Sequence, residues 1–208
     1  MARTRETTPD EPGTKGGLPI VTFADLPALE RWYDEHADSA PGMWVRFAKA
    51  GSDATSVSRA DALDVALCHG WIDGQAASVD ESWWLQRFTP RRKTSSRWSK
   101  INCAKAEELI ASGRMRERGQ AEVDAAKADG RWDAAYAGPR TAQVPSDLQA
   151  AIDADPAAAA FFPTLSSQNR YAILHRLGAV KRAETRARKI EQYVAMLAAG
   201  ETIYPARR

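Results

Sequence analysis

Two hundred and eight residues, 44% hydrophobic and 27% charged, can bury the core of one or two domains, which excludes whole-chain disorder. The 29 Lys and Arg against 27 Asp and Glu leave a net charge of +2, so an acidic partner would have to meet a local patch. Cys68 and Cys103 have no CxxC or Cys/His spacing, which argues against a disulfide framework and a structural zinc site and points to a reducing compartment. No apolar run approaches the roughly 18–20 residues of a membrane-spanning helix, and MARTRETTPDEPGTKGG lacks the apolar centre of a secretory signal. The expected setting is therefore cytoplasmic, with no membrane span and no cofactor or metal.

In chain order, residues 1–19 carry no apolar periodicity and read as a flexible tail. From Phe23, the residues Leu26, Leu29, Trp32 and Tyr33 recur at helical spacing, with Thr22 or Asp25 able to cap, and the helix should end near Asp38. Trp44 alternates with Arg46 and Val45 with Phe47, as a strand requires. Ser58 stands three residues before Asp61, an imperfect capping box, ahead of a helix from about Arg59 to His69 that Gly70 stops. Trp71–Asp73 and Trp83–Phe88 read as extended. These segments predict a small antiparallel sheet packed with helices. Further helices are expected from Ser99 to Ala111 and from Glu117 to Asp129.

Gly138, Pro139 and Pro145 mark the best boundary. Beyond it, 147–154, 156–162, 166–177 and 183–199 all have helical patterns, the last with Ile190, Tyr193, Val194 and Leu197 on one stripe. The prediction is α+β: a tail over 1–19, an N-terminal α+β domain over 20–135, and a helical module over 145–203 docked on it.

The densest chemistry lies in residues 68–102. Between Arg87 and Lys100 stand Arg87, Arg91, Arg92, Lys93, Arg97 and Lys100 with no Asp or Glu, interleaved with Ser95, Ser96, Ser99 and, just beyond, Asn102. Cations with hydroxyl and amide donors beside a helix start are the composition of an anion site; a solvated basic loop is the competing reading. Asp73, next to Gly74, either caps a turn or orients Arg87, Arg91 or Arg97 toward a ligand. Of seven tryptophans, Trp44 and one of Trp83 and Trp84 are expected in the core, and Trp32 and Trp132 at helices. Trp71 and Trp98 are left as candidate pocket walls.

The expected site is thus Trp71, Asp73, Arg87, Arg91, Trp98, Ser99 and Asn102 around a small anionic ligand, without catalytic residues. Cys68 and His69 are adjacent and point about 100° apart on a helix, which disfavours a Cys/His nucleophile. His36, His69, His175 and Asp73 share no metal-ligand spacing. GxGxxG, Walker and GxSxG motifs are absent. A second basic grouping, Arg170–Lys189, places Arg182, Arg186 and Lys189 on one helix face. With Arg91, Arg92 and Lys93 it makes single-stranded nucleic acid or RNA an alternative partner. An enzyme acting on a phosphorylated or carboxylated small molecule, with Asp73 as base, is the other alternative.

Four strings, ALDVALCHGWIDGQ (Ala62–Gln75), QRFTPRRKTSSRWSKIN (Gln86–Asn102), AKADGRWDAAYAG (Ala126–Gly138) and AVKRAETRARKIEQYVAMLAAGE (Ala179–Glu201), resemble the YdeI/OmpD-associated, bacteriocin-protection family. The likeness covers nearly everything from Phe23 to Glu201. It implies protection against bacteriocins and cationic antimicrobial peptides, in association with an outer-membrane porin, which would require export; with no signal peptide visible here, a cytoplasmic stress-associated protein is the expectation. It supplies no catalytic residues.

Overall fold

The computed structural model describes residues 13–92 and 95–205. The fold is α+β, as the sequence predicts, and divides into two compact units. One comprises the chain up to Arg97 together with Asn102–Asp133; the other comprises Trp98–Ile101 and the chain from Ala134.

The first unit is built on a five-stranded sheet in the order β1-β2-β3-β5-β4: β1 (Thr14–Lys15), β2 (Leu18–Val21), β3 (Met43–Ala48), β4 (Trp71–Ser78) and β5 (Trp83–Pro90). β1 and the first two residues of β2 lie where the sequence suggests a tail over 1–19. Gly16 and Gly17, with φ of 58° and 77°, make a primed turn that closes β1 on β2. The Lys15 carbonyl accepts from Trp44 Nε1 at 2.9 Å, and the Lys15 ammonium lies 4.8 Å over the Trp44 ring. Strands of two and four residues are too short to register as alternation, and only the Gly-Gly pair announces them. The rest of the expected tail, residues 1–12, lies outside the described residues.

The sheet is antiparallel except between β2 and β3, which run parallel. The reason is the crossover: α1 (Leu26–His36) connects them, and a parallel pair needs such a connection. The Asp25 carboxylate caps α1 by accepting from Ala28 N at 2.8 Å. Alternation along β3 sends Met43, Val45 and Phe47 into a core with Leu29, Tyr33, Trp71 and Phe88. Trp44 goes to the opposite face with Leu18 and Leu85. Trp84 stacks on Phe47 with ring centres 5.0 Å apart, while Trp83 lies 5.9 Å from the Arg46 guanidinium.

Helix α2 (Arg59–Cys68) begins as expected: Asp61 N donates to Ser58 Oγ at 3.1 Å, and Ser58 Oγ donates to Asp61 Oδ2 at 2.7 Å. It is buried on nearly every side through Ala62, Leu63, Val65, Ala66, Leu67 and Cys68. Its C-terminal carbonyls face the start of α4 (Glu117–Ala128), where Arg116 N donates to Cys68 O at 3.2 Å. The two helices meet end to end with opposed dipole charges, a favourable arrangement. Gly119 makes this approach possible. A Cβ there would overlap the Cys68 carbonyl oxygen and lie 2.7 Å from the Leu67 oxygen. A helical glycine otherwise costs about 1 kcal/mol relative to alanine.

The second unit is helical: α5 (Ser146–Asp153), α6 (Pro156–Phe161) running into a 3-10 turn (Phe162–Thr164), α7 (Ser167–Gly178) and α8 (Ala183–Ala198). Leu148, Ile152, Phe162, Ile173, Leu177 and Leu197 are the centre of its core. Trp98–Lys100 joins it through a short parallel bridge, with Lys100 N donating to Tyr136 O at 2.9 Å and Tyr136 N to Trp98 O at 3.0 Å. Helix α3 (Lys100–Ala111) starts at this bridge and lies in the first unit from Asn102 onward.

Candidate functional site

The residues singled out by sequence divide between the two units. Trp71, Asp73, Arg87, Arg91 and Asn102 belong to the first, Trp98 and Ser99 to the second. Trp71 has no exposed surface: it meets Trp32 and Tyr33 edge-on, and its Nε1 donates to Ala37 O at 3.1 Å. The same carbonyl accepts from Arg118 Nη1, whose guanidinium also reaches Asp38 at 2.5 Å. Trp71 thus ties the end of α1 to β4 beside α4. Asp73 pairs with Arg59 at 2.8 Å, a cation from α2. Arg87 is half-buried on β5 opposite Trp44. Arg91 is 5% exposed, with its N donating to Gly70 O at 2.9 Å and its Nη1 to Arg97 O at 3.3 Å. Trp98, Ser99 and Asn102 are buried.

Of the cations considered for nucleic acid, Arg92 is exposed, with its N donating to Ser96 Oγ at 2.8 Å, and Lys93 lies outside the described residues. Arg182 is exposed at the start of α8, and Lys189 is half-buried. Arg186 binds Asp147 with two bonds of 2.6 and 2.9 Å and donates to Leu177 O at 3.2 Å. Its guanidinium holds the Asp147 carboxyl below the usual carboxylate range. Arg186 therefore joins α8 to α5 and the end of α7.

A cavity of about 230 Å³ in the first unit lies beside Cys68, His69, Arg114 and Arg116. Burial pushes the Cys68 thiol up and the His69 imidazole down. The His69 ring stacks on Tyr33, and its Nε2 is 3.6 Å from Asp34. Asp34 also lies 3.8 Å from Arg116, and Asp64 lies 3.9 Å from Arg114. Each cation here has a carboxylate nearby, and the thiol is the unreactive form.

A larger cavity, about 430 Å³, opens along α7 in the second unit. Ser167, Tyr171 and His175 recur every fourth residue, as do Gln168, Ala172 and Arg176, so one helical face supplies most of the wall. Pro139 and Tyr204 complete it. Asn169, buried beside this face, fixes Tyr204: its Nδ2 donates to Tyr204 O at 3.1 Å, and its Oδ1 accepts from Tyr204 N at 2.9 Å. The Arg176 guanidinium then lies 5.6 Å over the Tyr204 ring, with Nη2 donating to Tyr204 Oη at 3.4 Å. His175 meets Tyr136 edge-on at 4.9 Å and Tyr171 at 5.6 Å, and Tyr171 Oη donates to Ala137 O at 3.3 Å. Among the described residues no carboxylate comes within 4 Å of Arg176, although it lines a cavity of this size.

In the sequence His175 is weighed only as a metal ligand, and Arg176 only as one of many cations. The available signal is the polar and aromatic stripe at four-residue spacing on a helix whose opposite side carries Ile173, Leu174 and Leu177. Among the described residues no cluster of three or more His, Cys, Asp or Glu could hold a metal, and no helix is long and apolar enough to cross a membrane.

Residues 21–122 match a model described as a domain of unknown function (DUF8412). Residues 141–200 match the model described as Bacteriocin-protection, YdeI or OmpD-Associated. No curated protein and no solved structure gives a match. The motifs from Ala62 to Asn102 thus fall under a separate model, and most of the α7 cavity lies within the second match. Residues 141–200 of this chain are thus similar to the family described as bacteriocin-protection, YdeI or OmpD-associated.

Proposed function

We propose that the protein is a non-enzymatic stress or bacteriocin-protection factor that works by holding a small anionic ligand in the α7 cavity, in a reducing compartment such as the cytoplasm. The observation that carries this reading is Arg176, a cation lining a 430 Å³ cavity with no acidic partner among the described residues. A carboxylate or phosphate seated there would supply the missing charge through charge-assisted hydrogen bonds. The apolar faces of Tyr171, Tyr204 and Pro139 suit an aryl or alkyl group on the same ligand. The family description supports the protective role, and two cysteines free of disulfides support the compartment. Nucleic acid is the weaker partner, since Arg186 is bound to Asp147.

Calorimetric titration of 3-phenylpropionate and phenyl phosphate tests the reading. The native protein should bind at least one of them saturably, and Arg176→Gln should weaken that binding at least tenfold, about 1.4 kcal/mol, with the fold intact. Equal binding by both proteins would remove Arg176 from the site.

A further inference from the structure

The α7 cavity does not end at Ser167. A second cavity of about 480 Å³ shares Ser167 and Gln168 with it and continues past the start of the helix, where Thr164, Ser166 and Thr202 line it. The segment from Thr202 to Pro205, held against α7 by Asn169, contributes Tyr204 to one cavity and Thr202 and Pro205 to the other. Adjoining at Ser167 and Gln168, the two are read as one trough with unlike ends: aromatic faces and a guanidinium with no acidic partner among the described residues at the Arg176 end, and hydroxyls with Phe161 and Leu165 at the other. From Ser167 to Arg176 the helix axis rises about 13 Å. An extended chain covers about 3.3–3.6 Å per residue, so roughly four residues match that length.

The middle of the trough supplies donors. Helix starts leave their first N–H groups without helical carbonyls. At α7, Ser166 Oγ takes the Asn169 N–H at 3.3 Å, and the Ser167 and Gln168 N–H groups have no carbonyl earlier in the helix. These donors, with the Gln168 amide and the Ser167 hydroxyl, suit the repeating carbonyls of a peptide backbone, while the Thr202 hydroxyl donates to Tyr204 O at 2.9 Å. The Arg176 end suits a terminal carboxylate beside an aromatic side chain.

Resting on the reading that Arg176 receives an anion, we propose that the trough binds the last four or so residues of an extended peptide. The free C-terminal carboxylate lies on Arg176, the terminal aromatic side chain lies between Tyr171 and Tyr204, and the preceding residues run past Gln168 toward Thr164.

The test titrates three compounds into the full-length protein: acetyl-Ala-Ala-Ala-Phe as the free acid, the same peptide as its C-terminal amide, and 3-phenylpropionate, which keeps only the ring and carboxylate. The free acid should bind at least tenfold tighter than either of the others. Thr164→Trp, which changes an exposed residue lining only the second cavity, should remove the peptide's advantage and leave 3-phenylpropionate binding unchanged, a result that also certifies the fold. A tetrapeptide no tighter than 3-phenylpropionate, or one indifferent to amidation or to Thr164→Trp, overturns the peptide assignment while the small-anion reading stands. No binding by any of the three overturns both.

Discussion

The cavity beside Cys68 and the cavity along α7 both contain a histidine and arginine, yet they differ in charge balance. Arg114 and Arg116 each have a carboxylate within 4 Å, and His69 shares Asp34 with Arg116. Arg176 has none among the described residues, and its guanidinium is positioned by an aromatic ring instead. Local composition points the other way, since the acid-free run from Arg87 to Lys100 lies in the first half of the chain. Whether a cation is available to a ligand depends on which carboxylates the fold brings to it. Here, among the described residues, carboxylates flank the arginines of the first unit's cavity and none flanks Arg176 in the second unit's.

If the first unit's signature residues are structural, breaking them should cost stability. The largest effect is expected from Trp71→Ala, which removes a fully buried ring and its bond to Ala37 O. A loss of about 3–5 kcal/mol is expected in denaturant unfolding. A loss below about 1 kcal/mol would show that Trp71 is not the packing centre described. Gly119→Ala comes next, because its Cβ would meet the fixed backbone carbonyls of Cys68 and Leu67. About 2–3 kcal/mol should be lost, although alanine is the better helix former. An unchanged or raised melting temperature would contradict the end-to-end contact of α2 and α4.

The smallest effect concerns the Arg186–Asp147 pair. The carboxyl pKa is depressed in the folded state by the hydrogen bonds from Arg186, so the pair's contribution is present above the unfolded aspartate value of about 3.9 and fades as pH falls through the folded value. The native protein should therefore exceed Asp147→Asn in melting temperature by a small, constant margin above about pH 5. That margin should shrink below about pH 4. A margin that grows on acidification would reverse the assigned sign.

Much of the fold is legible from the sequence because each element carries its own local cause. Ser58 and Asp61 cap α2, Asp25 caps α1, and the alternation of Trp44 with Val45 assigns β3 its two faces. The β1–β2 hairpin is legible only in Gly16-Gly17, since its strands are shorter than the period that reveals a strand. The candidate site is less legible. Asp73 pairs with Arg59, fourteen positions away, and Tyr204 reaches Arg176 from the end of the described chain through the clamp of Asn169. Such pairings depend on the tertiary path, and a motif search has no access to them. The stripe of Ser167, Tyr171 and His175 carries a helical period that a closer reading of faces could have used.

The most direct test of the account is amide chemical-shift mapping while 3-phenylpropionate is titrated into the native protein. The account predicts saturable shifts concentrated on Ser167–Arg176 and around Tyr204, with residues 71–97 unmoved. Shifts concentrated on Trp71–Arg97 would place the ligand in the first unit and contradict it.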